Sequence, residues 1–210
     1  MRLAGLLAPL APPLCAGCGG VAGPAEPLCG ACRSALTWLG PGFATAAAMT
    51  VWAPVAYEGP ARGLVRALKF GGAWRAADTM AAQIAANAPA ALLGPPTVLV
   101  PVPLHPRRLR RRGYDQALLL AGALAERTGL ELRRCLARAG SAGAQVGRGR
   151  SERLAGPPGT IRAVAAAPQR ALLVDDVVTT GGTLAACAAV LRATGAGEVR
   201  AVAYARTPGR

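Results

Sequence analysis

The chain reads as an α/β domain, a parallel sheet flanked by helices, with a small cysteine-bound module ahead of it. Three observations predict this. Four cysteines fall in two Cys-x-x-Cys pairs close to the amino terminus. Apolar runs at 98–103, 171–175 and 199–205 have the length and β-branched content of buried strands. Between them lie stretches with helical spacing, and strand, loop, helix, strand in succession is the order of a doubly wound parallel sheet.

The first element is the cysteine module. Cys15-Ala-Gly-Cys18 and Cys29-Gly-Ala-Cys32 are two knuckles ten residues apart, and Gly17, Gly19, Gly20 and Gly30 sit within or beside them. Glycine there lets backbone amides turn back toward sulfur. Four thiolates at this spacing predict a structural zinc site at Cys15, Cys18, Cys29 and Cys32, with no open position for catalysis. A pair of disulfides is the alternative, and it is disfavoured in a chain without a secretory signal. Residues 1–45 are therefore expected to form a zinc ribbon with its lead-in, and 46–210 the larger domain. Cys135 and Cys187 lie in apolar surroundings and are expected to be buried and inert.

Residues 50–57 alternate well enough for a short strand. From Pro60 to Ala86, Leu64, Leu68, Met80 and Ile84 recur at helical spacing, with Gly71-Gly72 as a break between two helices. Residues 88–96 read as a loop. The run 98–103 reads as a buried strand, followed by a basic loop and a helix from Asp115 to Arg127. Residues 139–160 have no period and read as a loop of the kind that closes over sites. A strand over 171–175, a helix from Thr183 to Thr194 closed by Gly195, and a strand over 199–205 complete the domain.

Composition narrows the partners. Hydrophobic residues are 52% of the 210 and charged residues 16%, enough apolar material for a core. The net charge is +14, and Lys69 is the single lysine among 24 basic residues, the usage of a high-GC genome. Position says more than total. Residues 104–162 hold thirteen arginines against Asp115, Glu126, Glu131 and Glu152, with Arg107, Arg108, Arg110, Arg111 and Arg112 at their centre. Such crowding calls for an anionic partner, either pyrophosphate or nucleic acid. The opening run to Leu14 lacks the small residues a lipoprotein cleavage site needs before Cys15, and no stretch is long and apolar enough to span a membrane. A cytoplasmic location is expected.

The most informative segment is Leu172-Leu-Val-Asp-Asp-Val-Val-Thr-Thr-Gly-Gly-Thr183. A strand delivers Asp175 and Asp176 at its carboxyl end, where open α/β sheets bind ligands. Gly181 and Gly182 let amides crowd one anion, Thr179, Thr180 and Thr183 add hydroxyls, and the following helix start favours the same negative charge. Two carboxylates want hydroxyl donors or a magnesium ion instead. A phosphorylated sugar with vicinal hydroxyls meets both demands.

This segment resembles the signature of type I phosphoribosyltransferases. The resemblance implies that Asp175 and Asp176 hold the ribose, that Thr179, Thr180, Gly181, Gly182 and Thr183 hold the 5′-phosphate with Val177 also among the ligand-binding residues, and that magnesium accompanies phosphoribosyl pyrophosphate. It places the pyrophosphate loop at Leu104 and His105 with Arg107 and Arg108. Taken from residue 10 to 207, the chain is similar to the ComF family, named for competence protein F. The match rests on the double Cys-x-x-Cys, Leu68-Lys69-Phe70, Val100-Pro-Val-Pro-Leu-His105, Arg112-Gly113-Tyr114-Asp115-Gln116 and the signature, in that order. The resemblance implies a zinc ribbon on a type I phosphoribosyltransferase-like sheet and a link to DNA uptake. Asp115 stands where the family usually has asparagine, and downstream Gln145 and Arg153 remain while Gly156 stands where asparagine is common.

Two function classes follow. In the first, pyrophosphate is displaced from the anomeric carbon, with Asp175, Asp176, Arg107 and Arg108 as the catalytic group. In the second, the chain is a non-catalytic protein of DNA import that binds single-stranded DNA through its arginines or adapts a helicase-like protein. Aromatics at 4% are few for a base-stacking platform. His105, the single histidine, and Lys69 stand at suggestive positions without an assigned role.

Overall fold

A computed structural model describes residues 12–24, 26–71, 73–138 and 161–208. Gln145, Arg153, Gly156 and the whole 139–160 loop lie outside these residues, as do the first eleven positions and Gly72.

The chain folds into a mainly parallel sheet with helices on both faces. A single helical turn, α1 (Gly30–Ser34), belongs to the second cysteine knuckle. Strands β1 (Ala44–Ala46) and β2 (Met49–Trp52) form a hairpin, and β3 (Val55–Ala56) follows after Ala53-Pro54. The run 50–57 is thus two strands, since Pro54 has no N–H to donate to a ladder. Both pieces pair in parallel with the last strand, β8 (Glu198–Arg206).

Helices α2 (Gly59–Phe70) and α3 (Ala73–Asn87) match the spacing of Leu64, Leu68, Met80 and Ile84, all of them fully buried. A turn of helix, α4 (Ala90–Leu93), occupies the predicted loop and buries Leu92. Strand β4 (Val98–Pro101) is buried throughout. The basic segment is not a loop. It forms helix α5 (Pro106–Arg112), because Pro106 is preset for a first turn, His105 caps it and Gly113 ends it with φ 78°. Helix α6 (Gln116–Thr128) starts one residue after Asp115, which is its cap. A short antiparallel pair, β5 (Leu136–Arg138) with β6 (Ile161–Ala163), was not foreseen. Strand β7 (Arg170–Val178) runs two residues past the acids, and α7 (Gly182–Ala193) ends two residues before Gly195.

The sheet order is β1-β2-β8-β7-β4, with β3 beside β8; all pairings except β1 with β2 are parallel. Strand residues alternate between two cores. Leu99, Leu172, Val174, Val202 and Tyr204 face α2, α3 and α6, while Val100, Leu173, Ala201 and Ala203 face α7. Consecutive residues on a strand point to opposite faces, so each apolar strand feeds both layers. Tyr204 closes the first layer by donating its hydroxyl to Gln83 Oε1 at 2.7 Å. Helix α6, which follows β4 and α5, and helix α7, which follows β7, pack on opposite faces, which opens a crevice between the carboxyl ends of β4 and β7, the place where open α/β sheets take ligands.

The cysteine module is continuous with the first layer. Cys15, Ala22, Leu28, Cys32 and Leu36 belong to the same buried cluster as Leu64 and Leu68. Helix α2 passes the first knuckle at Gly63, where a Cβ would collide with the Ala16 carbonyl. Arg75 of α3 donates to the carbonyls of Gly23 and Pro24.

Candidate functional site

The loop after β7 is shaped by one glycine. Gly181 has φ 80°, and a Cβ there would stand 2.7 Å from the Ala46 side chain and 2.8 Å from its backbone. Both facts require glycine. The Gly181 turn lets Val178, Thr179, Thr180 and Thr183 wrap a small cavity of about 60 Å³ at the start of α7, with Asp175 at its edge. Helix starts leave N–H groups without partners, so this cavity has the polarity an anion requires.

The acids occupy the adjoining crevice, about 190 Å³ in volume. Asp175 faces both cavities, whereas Asp176 lies only in the crevice, 4% exposed. The Asp176 N–H donates to Asp175 Oδ1 at 2.8 Å. Burial, and then the neighbouring Asp176 carboxylate, push the Asp175 carboxyl well above the usual carboxylate range. Lys69 Nζ stands 3.0 Å from Asp176 Oδ2. That contact is one of charge, since the oxygen has no donor in hydrogen-bonding geometry. Asp176 therefore retains a buried lone pair for a hydroxyl or a cation.

Across the crevice stand Leu104, Arg108, Arg112, Gln116 and Arg138. Leu104, Arg112 and Gln116 are placed by an interlock of two segments. Tyr114 donates its hydroxyl to the Leu68 carbonyl at 2.8 Å, and the Arg112 guanidinium lies over the Phe70 ring at 5.2 Å. Arg112 also donates to Gln116 Oε1 at 2.7 Å. Asp115 accepts from the amides of Ala117 and Leu118 as the cap of α6, and its other oxygen accepts from Leu104 N–H at 3.2 Å. The segment Arg112–Gln116 thus fixes the start of α6, the loop at Leu104 and the end of α2 that carries Lys69.

The structure brings together Asp175, Asp176, Val177, Thr183, Leu104 and Arg108 around the crevice, and Thr179, Thr180, Gly181 and Gly182 around the small cavity. His105 and Arg107 are not among the lining residues. His105 Nδ1 accepts from Arg107 N–H at 3.2 Å, which makes it the cap of α5. Sequence reasoning gave no site role to Arg112, Gln116 or Arg138. The spacing of Arg112 and Gln116 at i, i+4 is a signal for the first two, whereas Arg138 on β5 carried none. A wider cavity of about 520 Å³ lies between the first knuckle and α2, lined by small residues with Arg62 and Arg66. It holds no carboxylate and no hydroxyl; the acids and threonines line the crevice and the small cavity instead.

The four module cysteines form the second candidate site. All six cysteines are free, and the Sγ atoms of Cys15, Cys18, Cys29 and Cys32 lie within 4.8 Å of one another. Cys18 Sγ and Cys29 Sγ are 3.8 Å apart, and a tetrahedral ion with metal–sulfur bonds of about 2.3 Å needs sulfurs roughly 3.8 Å apart. Cys29 N–H donates to Cys15 Sγ at 3.2 Å, as a tight knuckle requires. Burial raises the Cys15 thiol, but amides of Cys29, Cys18 and Gly17 outweigh it and bring it to about 6. Burial and the other three thiols push Cys32 to about 12. Four thiolates this close cannot all ionise without a cation among them, so the donor set fits a metal ion. Among the described residues no other group of three or more candidate ligands is present.

No protein-family model and no curated protein matches the chain. Among solved structures it is similar to one described as the allosteric regulatory enzyme of purine biosynthesis, at 23% identity with a TM-score of 0.38. The likeness covers 60% of this chain and 24% of that one, so the chain spans about a quarter of the solved structure's length. At that identity and score the likeness says nothing of this chain's activity. Among the described residues no helix is long and apolar enough to cross a membrane.

Proposed function

We propose that the chain binds phosphoribosyl pyrophosphate between β4 and β7 and transfers its phosphoribosyl group. The observation that carries this is the pairing of Asp175 and Asp176 with a glycine- and threonine-rich helix start on one side and Arg108 on the other. A 5′-phosphate suits the loop from Thr179 to Thr183, where threonine hydroxyls and the helix start supply donors and the Asp175 carboxyl stands at the edge. Ribose hydroxyls suit the acids, with Asp176 as the charged partner held by Lys69 and Asp175 as the neighbour that burial inclines toward its protonated form. Pyrophosphate suits the guanidinium of Arg108, beside the Leu104 loop that Asp115 holds in place.

In the transfer, a bond forms from the acceptor to the anomeric carbon as the carbon–oxygen bond to pyrophosphate breaks, its electron pair leaving on pyrophosphate. Positive charge grows on the ribose ring, where the carboxylates lie, and negative charge on the leaving group, where the arginine lies. Magnesium bound with the substrate would neutralise pyrophosphate, and the acids and the buried Oδ2 of Asp176 fit its hard-oxygen preference. The metal of the four-cysteine site is read as zinc, with a role in folding. The reading extends to a ComF-like protein of DNA uptake; its support is the interlock of Leu68-Lys69-Phe70 with Arg112–Gln116, two segments that the sequence resemblance rests on.

A second reading has one observation in its favour. The side chains of Arg107, Arg108, Arg110 and Arg111 on α5 are exposed, and no ion pair joins them to any described residue. A single nucleic-acid strand would neutralise them without any transfer chemistry.

The deciding experiment is calorimetric titration of phosphoribosyl pyrophosphate with magnesium on wild type and on Asp175→Ala/Asp176→Ala. Saturable binding lost in the double variant supports the transferase reading. No binding by wild type, together with salt-steep binding of single strands lost on replacing the α5 arginines, overturns it in favour of the second.

A further inference from the structure

Next to the crevice lies a second cavity of about 380 Å³, lined by Lys69, Phe70, Arg111, Arg112 and Tyr114. Lys69 and Arg112 line the crevice as well, so the two cavities share a wall. The volume is that of a small-ligand site. Three cations and two aromatic rings make up its lining, and no carboxylate or imidazole is among them.

The lining groups are unequally committed. Lys69 is paired with Asp176, and Tyr114 has given its hydroxyl to the Leu68 carbonyl, which leaves its ring as lining surface. Arg112 donates to Gln116 through Nη1, yet its buried Nε has no partner. Arg111 pairs with none of the described residues, and Phe70 is 67% exposed. An uncharged ligand would leave the guanidinium donors of Arg111 and Arg112 without an anion. An aliphatic acid would leave the aromatic faces uncovered. A flat aromatic carboxylate satisfies both.

We propose that this cavity is the acceptor subsite and that the acceptor is a heteroaromatic carboxylate whose ring nitrogen carries no proton. The proposal rests on the transferase reading and deepens it by naming the acceptor class. The nitrogen lone pair forms the bond to the anomeric carbon as the bond to pyrophosphate breaks, the electron pair leaving on pyrophosphate. No proton has to move, in keeping with a lining that holds no base. The acceptor's carboxylate lies against Arg111 and its ring against Phe70.

The test uses the full chain with pyridine-3-carboxylate and pyridine-2,3-dicarboxylate as probes and pyridine-3-carboxamide as control. Binding is measured by calorimetry on wild type, Arg111→Ala and Phe70→Ala, with phosphoribosyl pyrophosphate titrated in parallel. Both substitutions are at exposed side chains, and circular dichroism melts verify the fold. A carboxylate should bind at least about tenfold more tightly than the carboxamide, and each substitution should weaken it by about tenfold or more. Phosphoribosyl pyrophosphate should stay within about twofold of wild type in Arg111→Ala, whose side chain lies outside the crevice. Carboxylates that bind no better than the carboxamide, or that ignore both substitutions, overturn the proposal while leaving phosphoribosyl pyrophosphate binding intact. Carboxylate binding without any phosphoribosyl pyrophosphate binding overturns the acceptor role together with the reading beneath it.

Discussion

Lys69 Nζ lies 3.0 Å from Asp176 Oδ2, with the lysine side chain 23% exposed and the aspartate side chain 6% exposed. A helix on one side of the sheet thus supplies the counter-charge for a carboxylate near the carboxyl end of β7. Removing one member of a buried pair strands the other. Lys69→Met is therefore expected to destabilise the chain by about 3 kcal/mol in urea unfolding. Lys69→Met/Asp176→Asn should recover most of that loss, because no charge is left uncompensated. A double variant no more stable than the single one would show that the lysine matters through packing instead.

Gly181 and Gly182 are neighbours with opposite tolerance. Gly181 sits at φ 80° with no room for a Cβ beside Ala46, whereas a Cβ on Gly182 would meet nothing nearer than Thr180 Oγ1 at 3.9 Å. Gly181→Ala should cost at least about 2 kcal/mol and shift the β1–β2 hairpin. Gly182→Ala, inside the first turn of α7, should cost less than about 0.5 kcal/mol or stabilise. Thermal melts of the two variants check this. Phosphate-ester binding should follow the same order.

Asp115 serves two elements at once. It caps α6 and holds Leu104 N–H, so Asp115→Ala should cost about 2 kcal/mol, the upper end for a lost cap. Asp115→Asn keeps an oxygen for one of these jobs and should cost about half as much. If the Leu104 loop forms part of the ligand site, Asp115→Ala also weakens phosphoribosyl pyrophosphate, and Asp115→Asn does so less. Equal stability of wild type and Asp115→Ala would remove the cap from the account.

These examples mark what a sequence displays and what it hides. Strands β4, β7 and β8 were legible because apolar β-branched runs of their length have few alternatives, and the loop from Thr179 to Thr183 because glycines and hydroxyls concentrate there. The cysteine spacing was legible for the same reason. Helix α5 was hidden by its charge: arginine clusters read as loop, while the signals that decide the matter, Pro106 at the first turn and Gly113 at the end, are single residues. The Lys69–Asp176 pair and the Tyr114–Leu68 bond join positions remote in sequence, and no local pattern announces them. The β5–β6 pair has three residues per strand, too few for a period to emerge.

The cysteine site makes a compositional prediction. Purified protein should carry one zinc ion per chain by elemental analysis, with Cys18 and Cys29 slow to react with thiol reagents until a chelator is added. Cys32→Ser should lose the metal and lower stability, since the module's Cys32 and Cys15 are part of the core that α2 shares. Cys187→Ala should leave the metal in place, because Cys187 is buried against the opposite face of the sheet. Metal retained by Cys32→Ser would disprove the four-ligand site.

Asp175 gives the pH dependence its sign. Burial first, and the Asp176 carboxylate second, raise its folded pKa above the unfolded value. Between those two values the native state holds a proton that the unfolded state has released. Unfolding then releases protons, and stability falls as pH rises through that window, by at most about 1.4 kcal/mol per pH unit. Asp175→Asn keeps the shape without the charge, so it should be more stable than wild type at neutral pH and lose this slope. The same substitution should abolish magnesium-dependent binding of phosphoribosyl pyrophosphate if the ionised form of Asp175 is what the ligand meets. Chemical unfolding from pH 4 to 8 on both proteins separates the two effects. A wild-type curve that rises across that range, with Asp175→Asn parallel to it, would show that Asp175 is not the group that sets the slope.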